Sequence, residues 1–66
     1  MSLTFTQLMN NINSLEKDIQ QKAEACRVLA KHHCFEEAGV MAVRIVGRAK
    51  DLQRLFEGFD FEKAEF

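Results

Sequence analysis

The 66 residues include no proline, no tryptophan and no tyrosine. Neither glycine nor proline occurs between residues 5 and 31, so nothing in that span forces a helix to stop. The two cysteines, Cys26 and Cys34, are too few for a disulfide scaffold. Reduced thiols and a cytoplasmic location are therefore expected. The longest unbroken apolar run, Val40 to Val43, is far too short to cross a bilayer. The opening residues, MSLTFTQLMNN, lack the basic segment and apolar stretch of a signal peptide. Charge of neither sign dominates. Nine Lys and Arg oppose ten Asp and Glu, for a net charge of −1. Bulk electrostatics thus do not favour nucleic acid or an acidic membrane.

Motifs that carry chemistry are also scarce. There is no glycine-rich phosphate loop, no CxxC pair and no recognisable pair of catalytic carboxylates. Cys26, His33 and Cys34, with His32 alongside, form the one group with metal-ligating chemistry. Zinc takes four ligands at tetrahedral geometry, so such a site would have to be shared across a turn or between subunits. In the plainer reading Cys26 is a small buried apolar residue, His33 ends a helical seam and His32 is exposed. Cys34 beside His33 does not make a catalytic pair, because a nucleophile needs a base oriented by a third group. No cofactor and no enzymatic activity are expected.

What is present is apolar periodicity. Hydrophobic residues make up 47% of the chain. In the first half they fall at Phe5, Leu8, Ile12, Leu15, Ile19, Cys26, Leu29 and His33, with Lys22 in the one slot that breaks the series. Spacing that alternates three and four marks a helix burying one seam. Met9, Ala23 and Ala30 widen that stripe. Thr4 followed by Gln7 fits a capping box, with Leu3 and Leu8 at the staple positions. The second half repeats the spacing at Phe35, Ala38, Ala42, Ile45, Ala49, Leu52, Phe56 and Phe59. The two series are out of register by two residues, which a continuous coiled coil accommodates poorly. The break is placed at His32 to Cys34, three poor helix formers in a row. Glu36 and Glu37 then occupy a first turn, where the helix dipole favours anions.

The expected fold is all-α: an antiparallel two-helix hairpin in a single domain, residues 1–66. Helix 1 covers about 5–31, a turn about 32–34, helix 2 about 35–57 and an acidic, Phe-bearing tail 58–66. A single helix with a local distortion is the alternative. A lone core of this size barely offsets the entropy of ordering the chain.

The stretch GVMAVRIVG, residues 39–47, indicates how the shortfall is met. Gly39, Val40, Val43, Val46 and Gly47 lie on an arc beside the second seam. Glycine and valine both cost helix propensity, so a compensating contact is expected there. Dimerisation through this arc would give a four-helix bundle. The segment VMAVRIV also fits a short buried strand, which would have to pair with a second chain.

Arg44 and Arg48 lie four residues apart, as do Lys50 and Arg54, making two small basic ridges suited to a polyanion or a partner. In the plainer reading they are intrahelical salt linkages, Arg54 with Glu57 and Lys50 with Asp51. The hairpin-dimer layout is similar to that of the Rop family of plasmid copy-number proteins, which implies an RNA-binding alternative. That likeness covers layout alone. In size and layout the chain also resembles the small co-chaperones of type III secretion needle proteins. Phe61 and Phe66, interleaved with acids, are candidate tail contacts. An acidic end closing on Phe resembles the partner-binding tip of bacterial single-stranded-DNA-binding proteins, except that no proline precedes the last residue.

The function expected from these features is a small non-enzymatic interaction module. It would be a helical homodimer acting as adaptor, inhibitor or chaperone-like modulator of a partner protein, of a kind common among phage products. The alternative is a nucleic-acid-binding hairpin dimer.

Overall fold

A computed structural model describes residues 3–60 and 62. Two helices, α1 (Phe5–Lys31) and α2 (Phe35–Glu57), pack against each other as a hairpin about 49 Å long and 15 × 13 Å across. The start of α1 is the capping box. The Thr4 Oγ1 accepts from the Gln7 amide at 3.1 Å, and the Thr4 amide donates to Gln7 Oε1 at 3.0 Å. The polypeptide reverses at His32 and His33. His33 takes a left-handed φ of 62°, which releases the chain from α1, and its ring stacks on Phe35 at 5.6 Å. Glu36 and Glu37 stand in the first turn of α2. At the other end the Leu3 amide donates to the Gly58 carbonyl at 3.2 Å and ties the two termini of the hairpin together.

The interface has the expected side on α1. Leu8 is buried, and Ile12, Leu15, Ile19, Lys22, Cys26 and Leu29 are half-buried. Ala30 is also half-buried, whereas Met9 and Ala23 are exposed. On α2 the seam differs from expectation. Ala38, Ile45, Leu52 and, just past the helix, Phe59 do face α1. Phe35, Ala42, Ala49 and Phe56 do not; all four are exposed, Phe35 at 66%. Their places are taken by the residues one position earlier: Cys34, Met41 and Leu55 are half-buried, and Arg48 reaches across to α1. One of the two seam columns shifts by one residue while the other stays, which turns the helix by roughly 50°.

A polar layer explains the rotation. Lys22 Nζ lies 2.7 Å from Asp18 Oδ1, and Arg48 Nε lies 2.9 Å from Asp18 Oδ2. Arg48 also reaches Asp51 at 3.0 Å. Alanine at position 49 in that slot would have left Asp18 and Lys22 facing an apolar wall.

Two further expectations are corrected. Residues 40–46 are helical, so the strand reading is wrong: valines here are helical residues on an outer face. His33 does not end the seam; it is exposed in the turn, because the chain has already left α1. Among the described residues only Leu8, Ala38 and Phe59 are buried, at 3%, 7% and 5% exposure. The core of the single chain is thin.

Candidate functional site

The rotation of α2 decides where its valine-and-glycine arc points. With the seam on Ala38, Met41, Ile45, Leu52 and Leu55, Val43 stands about 170° away around the helix. It is the side chain most directly opposed to α1, and it is 71% exposed. Val40 and Val46, three residues to either side, are 53% and 54% exposed. Gly39 and Gly47 are open as well: a methyl group built on either would meet nothing within 4 Å. Phe35 stands at the shoulder of the same face. In the single chain, then, Gly39, Val40, Val43, Val46 and Gly47 present an uncovered apolar strip. Phe5, Met9, Val28 and Phe56 are exposed apolar residues elsewhere.

Beside this strip runs an open cleft of about 580 Å³ lined by Lys22, Arg44, Gly47, Arg48, Lys50, Asp51 and Arg54. All four sequence-predicted cations reach it. Lys22, which the periodicity marks only as an irregularity, joins them from α1. Three of these five cations share two carboxylates. Asp18 engages Lys22 and Arg48, and Asp51 engages Arg48 and Arg54 at 3.0 and 3.4 Å. Arg44 and Lys50 make no ion pair among the described residues. The salt linkages are thus Arg48–Asp51 and Arg54–Asp51 rather than Lys50–Asp51 and Arg54–Glu57. The hydrogen bond from Lys22 holds the Asp18 carboxyl below the usual carboxylate range, opposed by partial burial and helped by the charges of Lys22 and Arg48. Glu24 is lowered in the same way by Arg27, on the outside of α1.

The cysteine–histidine group does not converge. Cys26 Sγ turns onto the Ala38 carbonyl at 3.4 Å, inside the hairpin. Cys34 sits in the turn, and His32 and His33 are exposed. Among the described residues no three ligating side chains come together. No described helix is long and apolar enough to cross a membrane. Phe61 and Phe66 lie outside the described residues.

No protein-family model, no curated protein and no solved structure matches this chain.

Sequence reasoning missed Lys22 and Asp51 as lining residues of the cleft, and Asp18 as the carboxylate that pairs with Lys22 and Arg48. A signal for the Asp18–Arg48 pair was present. In an antiparallel hairpin turning at His33, Asp18 and Arg48 stand at equal distances from the turn, fifteen residues on either side.

Proposed function

We propose that this protein is a non-enzymatic interaction module that works as a helical homodimer and modulates a partner protein. The observation that carries the reading is the uncovered strip of Val40, Val43 and Val46 between two open glycines. A helix apolar on two opposite sides is expected to be covered on both. Because the strip lies opposite α1, the assembly would hold the two α2 helices inside and the two α1 helices outside. The cleft cations Arg44 and Arg54 would remain at its rim, available to an acidic surface of the modulated protein.

Light scattering over a range of protein concentrations tests the dimer. Wild type should show twice the chain mass and Val43→Glu the monomer mass with a reduced melting temperature. A wild-type chain that is monomeric and fully folded at high concentration refutes the reading.

The second reading, a nucleic-acid-binding dimer, is favoured by the basic cleft. It predicts a mobility shift with RNA or DNA at low salt that weakens steeply as salt rises. Absence of any shift at low salt removes it.

A further inference from the structure

The exposed face of α2 is not only apolar; it is nearly a palindrome about Val43. Three residues to either side stand Val40 and Val46, both about half exposed. Four residues to either side stand Gly39 and Gly47, both with open space above the backbone. Seven residues to either side stand Glu36 and Lys50, both exposed and of opposite charge. At about 100° per residue all seven lie within roughly 60° of Val43 on the wheel. Neither Glu36 nor Lys50 makes an ion pair within the chain among the described residues.

A two-fold axis perpendicular to a pair of antiparallel helices exchanges residues equally far before and after the crossing point. An isologous contact therefore asks for self-complementarity of this kind. With the axis at Val43, Val40 meets Val46, Gly39 meets Gly47, and Glu36 meets Lys50, each pair occurring twice. Seven residues of helix rise about 10.5 Å, so both charges sit at the same distance from the axis. The glycines let the backbones approach, the valines fill the space between them, and the charges close the two ends. A parallel pairing would set Glu36 against Glu36 and Lys50 against Lys50.

We propose that the occupant of this face is a second copy of the chain, packed α2 against α2 in antiparallel orientation with the two-fold axis at Val43. This rests on the homodimer reading above and adds its orientation and register.

The test uses the full chain and charge reversal, with Kd measured by sedimentation equilibrium at low salt. Glu36→Lys and Lys50→Glu should each weaken the dimer about tenfold, because each turns two attractions into two repulsions at a partly desolvated rim. The double variant, Glu36→Lys with Lys50→Glu, should return to within about threefold of wild type. Circular dichroism of each variant separates a lost dimer from a lost fold.

Cross-linking gives an independent readout in a Cys26→Ser, Cys34→Ser background. A short bismaleimide should couple mixtures of Glu36→Cys and Lys50→Cys chains, and neither chain alone. Coupling of each variant with itself, or a double reversal no tighter than the single reversals, overturns the antiparallel register and leaves the homodimer standing. A wild-type chain that never dimerises overturns both.

Discussion

Arg48 of α2 spans the hairpin to Asp18 of α1, its Nε 2.9 Å from the buried Oδ2 of that carboxylate. The approach is an ion pair rather than an aligned hydrogen bond. The aligned bond to Asp18 comes from Lys22, at 2.7 Å to Oδ1. One carboxylate thus anchors a cation from each helix. Lys22 and Arg48 occupy seam positions on their respective helices, so this polar layer interrupts the apolar contact about midway along it. It sets the level at which the helices pair, and it rotates α2 so that the Val43 face points outward.

Acid should weaken this layer. The Asp18 carboxyl titrates lower in the folded chain than in the unfolded one, because Lys22 and Arg48 favour its charged form. Such a group stabilises the fold fully above its unfolded pKa, near 4. That contribution is lost as pH falls through the lower folded value. Denaturant midpoints measured from pH 7 down to pH 2 should fall in wild type. In Asp18→Asn the midpoint should be lower at pH 7, and its fall with acid shallower. Equal acid profiles for the two chains would rule out the ion pair as a source of stability.

The two-helix hairpin was legible because its signals are local. Thr4 and Gln7 mark one helix start, and three poor helix formers mark the break. The rotation of α2 was not legible from apolar spacing. Ala38, Ile45, Leu52 and Phe59 belong to two overlapping seams, one completed by Phe35, Ala42, Ala49 and Phe56, the other by Cys34, Met41, Arg48 and Leu55. Counting apolar residues selects the first, since Arg48 spoils the second. The physical choice goes to the second because Arg48 has Asp18 waiting at its own level and can lay its aliphatic stem along the interface. The cations of the cleft were legible as a basic stretch, but which acids they engage depends on that same rotation.

The turn carries local strain that a substitution should relieve. His33 holds a left-handed φ of 62°, a conformation costing an L-residue roughly 1–2 kcal/mol. Glycine adopts it freely, at the loss of the ring stack on Phe35. His33→Gly should therefore equal or exceed wild type in stability, by about 0.5 kcal/mol, while His33→Val should lose more than about 1 kcal/mol. Urea unfolding at a fixed chain concentration ranks them, and the order Val above Gly would contradict the assigned turn.

The capping box makes a simpler prediction. Thr4 Oγ1 accepts from the Gln7 amide, and Gln7 Oε1 accepts from the Thr4 amide. Thr4→Ala should cost about 1 kcal/mol. Thr4→Ser should restore most of that loss, because it returns the hydroxyl. Exchange of the first-turn amides with deuterium should quicken in Thr4→Ala and leave α2 unchanged.

The two open glycines separate the single chain from the dimer by the sign of their effect. Alanine is favoured over glycine in a helix interior by about 1 kcal/mol per site. At Gly39 and Gly47 the added methyl meets nothing within 4 Å. In an isolated hairpin, Gly39→Ala with Gly47→Ala should raise stability by up to about 2 kcal/mol. In the antiparallel dimer each methyl lands where the backbone of the second copy approaches, so the same changes push the helices apart and raise Kd. Thermal melts across a hundredfold range of chain concentration distinguish the cases. The variant should be the more stable at the dilute end and lose its advantage at the concentrated end, where wild type gains from association. A variant more stable by the same margin throughout would mean that nothing approaches these glycines, and that their cost in helix propensity goes uncompensated.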